Sequence, residues 1–176
     1  MSENIVQPGA FPRSRPLGYV LDLLARLLAI GGGLLLVGMT LMSAYSIAMR
    51  SLFDEPLLGD VELVQMGCGI AVVSFLPLCQ LRRGNVIVDV FTLHASARSR
   101  AWLDALGGLL MAACAALLAW RSAIGTLDAH GTGEESIIMG LPLWWSMSPF
   151  APCFALLAVV SLYTAWLDLR GEEKRS

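Results

Sequence analysis

Four uncharged apolar runs dominate this chain: Leu27–Met49, Leu63–Leu81, Ala105–Trp120 and Leu141–Leu167, of 23, 19, 16 and 27 residues. A helix needs about 20 apolar residues to cross a hydrocarbon core roughly 30 Å thick. The first, second and fourth runs meet that length unaided. The third reaches it with Trp102 and Leu103 before it and residues 122–125 after it, while Arg121 extends its charged end toward the interface. The sequence therefore predicts an all-α membrane protein with four transmembrane helices, over about 27–49, 63–81, 102–124 and 141–167. With 56% hydrophobic residues among 176, little chain remains for a soluble domain.

Charge sets the expected orientation. Ten of the twelve Lys and Arg residues fall in three segments: Arg13, Arg15 and Arg26; Arg82, Arg83, Arg98 and Arg100; Arg170, Lys174 and Arg175. Only Arg50 and Arg121 lie in the other two connections. Basic residues concentrate on the cytoplasmic side of membrane proteins, so both termini and the 82–104 loop are expected in the cytoplasm. The loops at 50–62 and 121–140 then face outward. They carry Asp54, Glu55, Asp60, Glu62, Asp128, Glu134 and Glu135, an acidic outer surface. The first run reads as a retained helix, since its basic leader and its apolar length both exceed those of a cleaved signal peptide.

Residues 1–16, with Pro8, Pro12, Pro16 and Gly9, read as a flexible cytoplasmic lead-in to a four-helix membrane domain over 17–169, followed by a tail at 170–176. Residues 17–26 form either a short interfacial helix or the cytoplasmic end of the first span; Asp22 and Arg26 stand i, i+4 there. In the middle loop Val86, Val90, Leu93 and Ala97 recur at helical spacing, with Asp89, His94, Arg98 and Arg100 largely elsewhere on the wheel. That pattern predicts an interfacial amphipathic helix between helices 2 and 3. Gly67 with Ala71, and Ala112 with Ala116, are small-residue pairs suited to close helix packing. Cys68, Cys79, Cys114 and Cys153 all lie inside the apolar runs and read as small packing residues.

The runs hold no charged residue and no histidine. That removes the usual marks of an ion path and the ligands of a bis-histidine haem. Phosphate-binding, hydrolase and zinc-protease motifs are missing, as are the basic and aromatic surfaces that hold nucleic acid. No catalytic, cofactor or metal site is expected. A four-helix thiol oxidase or quinone reductase would need reactive cysteine pairs near the outer surface, and a small multidrug exporter would need a carboxylate in the membrane. An accessory or scaffold subunit suits this inventory better than a stand-alone enzyme or exporter.

Three segments in order carry a resemblance. Arg50-Ser51-Leu52-Phe53 is followed by Pro56 and by Glu62 at the mouth of the second span. Arg83-Gly84-Asn85-Val86-Ile87-Val88-Asp89 follows that span, and Glu135-Ser136, then Leu141-Pro142-Leu143-Trp144, precede the fourth, with Pro149 and Pro152 beyond. Over residues 20–168 the chain resembles the small membrane (Q, DctQ-like) subunit of tripartite ATP-independent periplasmic (TRAP) transporters. It departs from the family at Asn85, often His there, and at Leu58 and Gly59, where Trp is common nearby. The resemblance implies a bacterial inner-membrane complex with a large permease subunit (M) and a periplasmic substrate-binding protein (P), importing an organic acid. Sodium coupling and the substrate site are implied for the large subunit, with this chain packed against its fixed scaffold.

Six residues are candidates for structural or interface roles. Arg50 and Glu62, at neighbouring helix ends, suggest an ion pair. Asp89 beside Arg82 and Arg83 suggests a fixed turn out of the second span. Pro142 supplies a preset φ near the start of the fourth helix, and Ser136 a cap for that end. Trp144, with Trp145, suits the outer interface as a lipid anchor or a subunit contact.

Overall fold

The computed structural model describes residues 16–53, 59–82 and 97–170. It is all-helical in its regular structure: α1 (Pro16–Phe53), α2 (Asp60–Leu81), α3 (Ala97–Thr132), the short α4 (Leu143–Met147) and α5 (Phe150–Arg170). Four stretches are long and apolar enough to cross a membrane: Leu17–Phe53, Asp60–Leu81, Leu103–Thr132 and Leu143–Leu167.

The helices decide one alternative that the sequence left open and differ from the expected spans in two places. First, α1 is one helix of 38 residues, so 17–26 is the end of the first span and not a separate helix. Pro16 opens it, where a missing amide costs nothing, and Arg26 pairs with Asp22 at 2.9 Å one turn back. Second, α3 runs past 124 to Thr132, so Asp128 and His130 are helical and not in a loop. Third, the fourth span is broken: α4 ends at Met147 and α5 starts at Phe150. Pro149 lies at the break, because it cannot donate to the preceding turn and its ring crowds it. The expected interfacial helix over Val86–Ala97 lies outside the described residues, except that Ala97 itself already begins α3.

The spans stand in a row, α1–α2–α5–α3, with α1 reaching α5 at one end. Of the most apolar window in each span, 44% is buried in the fourth but only 17% in the third, which makes α5 the hub. One cluster joins Leu21 and Ala25 of α1, Leu81 of α2, and Val160, Tyr163 and Leu167 of α5. A second joins Ala115 of α3 to Leu157 and Ala158 of α5, with Leu76, Met111 and Phe154 against it. Lipid tails are as apolar as leucine, so these contacts are held by close packing and not by escape from water.

Small residues set the helix spacing. A Cβ added to Gly32 would stand 3.0 Å from Ser74 Cβ and 3.2 Å from the Ala71 carbonyl oxygen. One added to Gly108 would stand 3.0 Å from Ala165 Cβ. Gly67 and Ala71 are both buried, as the small-residue pair requires, whereas on α3 the buried pair is Ala112 with Ala115 and Ala116 is exposed. Three hydroxyls inside the spans bond back along their own helices: Thr40 to the Leu36 carbonyl, Ser74 to Ile70 and Thr126 to Ser122. Outside the row lies an apolar stripe on α1 (Leu27, Ile30, Leu34, Val37, Leu41) and another on α3 (Leu103, Leu106, Leu110, Leu117), both exposed. Such faces require a bilayer or a partner helix.

Candidate functional site

Four of the six candidate residues gather at one end of the row, where the α1–α2 and α3–α4 connections lie. A fifth, Arg50, is in the last turn of α1 at the same end. Asp89 lies outside the described residues.

Gly59 starts α2. Its φ of +82° is a left-handed conformation that residues with a Cβ adopt at a cost. Its carbonyl accepts the first helical bond from Leu63 N at 3.0 Å. The Met139 side chain, on the other connection, occupies the space a Cβ on Gly59 would fill. Gly59 is thus fixed twice, by its turn and by its neighbour.

Asp60 opens the helix. Ser46 Oγ, buried in α1, donates to Asp60 Oδ2 at 2.6 Å, and Val61 N donates to Oδ1 at 2.7 Å. A carboxylate in the first turn also faces the positive end of the helix dipole. This bond ties the α1 and α2 ends together.

The expected Arg50–Glu62 ion pair is not formed. Glu62 Oε2 is buried without a hydrogen-bond partner, and Arg50 is exposed. The cause is geometric. Because Ser46 is level with Asp60, Arg50 stands about 6 Å farther along α1 and Glu62 about 3 Å the other way along α2. Glu62 also shares a helix face with Gly69, seven residues on, which approaches Phe150 of α5 and not α1. Arg50 instead stands near enough for its charge to attract the Asp60 carboxylate.

The second connection is a small hairpin. Glu135 and Pro142 form an isolated antiparallel bridge. Ser136 N donates to the Leu141 carbonyl at 2.8 Å, and Gly140 N to the Ser136 carbonyl at 3.0 Å. Ser136, expected to cap the fourth helix, closes this turn: its buried Oγ accepts from Met139 N at 3.4 Å. Pro142 itself is the N-cap of α4, in extended conformation, with no side-chain cap there. Leu143 N is satisfied by the Glu134 carbonyl at 2.9 Å. Trp144 is half-buried, edge-on to His130 of α3 at 5.1 Å between ring centroids and to Trp145 at 5.9 Å. Trp145 is exposed.

The arrangement is a brace between two connections. Among the described residues, no group of three His, Cys, Asp or Glu side chains is placed to hold a metal ion. Sequence reasoning chose Glu62 where the structure uses Asp60. The signal was available: Asp60 lies one heptad before Gly67, on the small-residue face that meets α1. The Met139–Gly59 contact had no sequence signal, because it joins residues eighty positions apart through two loops.

The family model described as tripartite ATP-independent periplasmic transporters, DctQ component, matches residues 39–171. No curated protein and no solved structure matches the chain.

Proposed function

The chain belongs to the DctQ component family of tripartite ATP-independent periplasmic transporters, and we propose that within such a transporter it is the scaffold that holds a large permease subunit in place. It is a non-enzymatic, multi-pass membrane component. The large subunit carries the substrate and sodium sites, and a periplasmic binding protein delivers an organic acid to the pair. Both termini and the 82–104 loop face the cytoplasm, as the distribution of Lys and Arg supports. The braced end with its acidic residues then faces the periplasm and the binding protein.

One observation supports the scaffold reading above the rest: the spans form an open row whose apolar stripes on α1 and α3 are uncovered, while the four runs contain no charged side chain to bind an ion. A row of this kind offers a long, rigid, apolar surface for other helices. Close packing of small and apolar residues supplies the affinity for such a contact.

The test is reconstitution of the large subunit and binding protein in vesicles with and without this chain. Sodium-driven uptake is expected only when the chain is present. Full uptake in its absence would overturn the scaffold role, and a point variant here that altered the number of coupled sodium ions would overturn the assignment of the ion sites.

A further inference from the structure

We propose that the hairpin over 135–142 is a membrane anchor, with its tip, Ile137–Met139, inserted into the lipid leaflet at the braced end. The inference needs only the four spans and does not depend on the scaffold role.

The tip is three consecutive apolar residues. Ile137 is 99% exposed, Ile138 58% and Met139 42%. Within the connection the Ser136, Gly140 and Leu143 amides find carbonyl partners and the Met139 amide the Ser136 hydroxyl, while the Ile137 and Ile138 amides have no partner among the described residues. Those two amides need water or headgroup oxygens, so the tip enters the hydrated interfacial region and stops short of the hydrocarbon centre. Glu134 and Glu135, at the base, are exposed and remain in water. The hairpin is thus apolar at one end and charged at the other, the division that a shallowly inserted element requires.

Its depth is fixed by contact. Met139 and Ile138 lie against Gly59, the residue before α2 begins. The tip therefore sits at the level where the second span leaves the hydrocarbon. Val61, two residues past Gly59, is exposed at 71% and suits the same boundary, and Trp145, three residues beyond the hairpin, is exposed at 62%. Indole rings are favoured at the headgroup level. The tip continues this belt.

Lipid is favoured over a protein occupant by the chemistry of the tip. Protein contacts concentrate their affinity in Trp, Tyr and Arg. The tip holds two isoleucines and a methionine, which gain from acyl chains by burial alone. The acidic base disfavours anionic headgroups, so insertion is driven by apolar surface and not by charge.

The test uses spin labels on the full chain, in vesicles of phosphatidylethanolamine and phosphatidylglycerol, alone and assembled with the large subunit. Cys68, Cys79 and Cys114 are replaced by alanine, and Cys153, which is buried, is left in place. Labels are introduced by Ile137→Cys and, as the control, Glu134→Cys. At Ile137 the label should collide more with oxygen than with an aqueous nickel complex, at a depth of roughly 5–10 Å. At Glu134 the order should reverse. Equal access of the nickel complex to both labels would overturn the proposal. Protection of the Ile137 label from both reagents on assembly would also overturn it, by showing a protein surface over the tip. Ile137 has almost no contact to lose, so the substitution leaves the fold intact.

Discussion

Replacing Gly59 by alanine tests the brace directly. Two costs add. The backbone at φ +82° puts a Cβ into a left-handed conformation, for about 1–2 kcal/mol. The new methyl also meets Met139 Cγ and Sδ. Methionine is flexible, so it turns aside instead of unseating the hairpin, for about 1 kcal/mol of rotamer strain and lost packing. The expected total is about 2–3 kcal/mol. Gly133→Ala separates the terms, because Gly133 has φ +65° and open space around its Cβ position. It should cost only the backbone term. Adding Met139→Ala to Gly59→Ala should relieve the steric term, so the pair should be non-additive by about 1 kcal/mol. The assay is reversible unfolding in mixed detergent micelles, followed by helix content. If Gly59→Ala costs no more than Gly133→Ala, Met139 does not rest on that turn, and the brace is absent.

Two further outcomes follow from the packing and a third from the distribution of Lys and Arg. In double-mutant cycles on assembly and stability, Ser46→Ala with Asp60→Asn should show clear coupling and Arg50→Gln with Glu62→Gln none; the reverse would restore the ion pair read from the sequence. Gly108→Leu should destabilise the isolated chain by about 1–3 kcal/mol through the α3–α5 contact, while Gly107→Leu, with open space at its Cβ position, should leave the isolated chain unchanged in thermal unfolding. A reporter that works only in the cytoplasm, fused after Ser176, should be active, and activity of a periplasm-only reporter at that fusion would invert the orientation.

Much of the fold was legible because a bilayer imposes length and composition on every span. The four runs map onto the four apolar stretches, and Asp22–Arg26 pairs as its spacing suggests. Span order was not legible. α5 is buried by α2 and α3, whereas α1 and α3 turn whole stripes outward, yet all three are apolar around their circumference. Water would have forced a polar face onto the outer helices; lipid does not, so the sequence carries no mark of which helix is the hub. Helix ends lie beyond the apolar runs for a related reason. Apolarity stops near 124, but α3 continues to Thr132 through Thr126, Asp128 and His130, where helix propensity and the His130–Trp144 contact take over from hydropathy. At the braced end, Asp60 and Glu62 were indistinguishable by charge and separable only by helix face.

An open row has a mechanical weakness that the two ends correct. Among the described residues α5 is the sole broad link between the α1–α2 pair and α3, and the row is free to fold about α5 unless something else crosses it. At one end Leu21 and Ala25 of α1 meet Tyr163 and Leu167 of α5. At the other, the hairpin carries Met139 from the α3 side onto Gly59 at the start of α2, and α4 holds Trp144 against His130 of α3. The brace therefore controls the angle between α1 and α3 more than it controls any single helix. Gly59→Ala should leave helix content nearly unchanged in lipid nanodiscs and still widen that angle's distribution. Spin labels at Leu41→Cys and Leu117→Cys, both exposed positions, report it as a distance between the outer helices. A broader distance distribution in Gly59→Ala than in Gly133→Ala is the expected result. Identical distributions would mean that α5 packing alone holds the row flat, and that the hairpin braces nothing beyond its own turn.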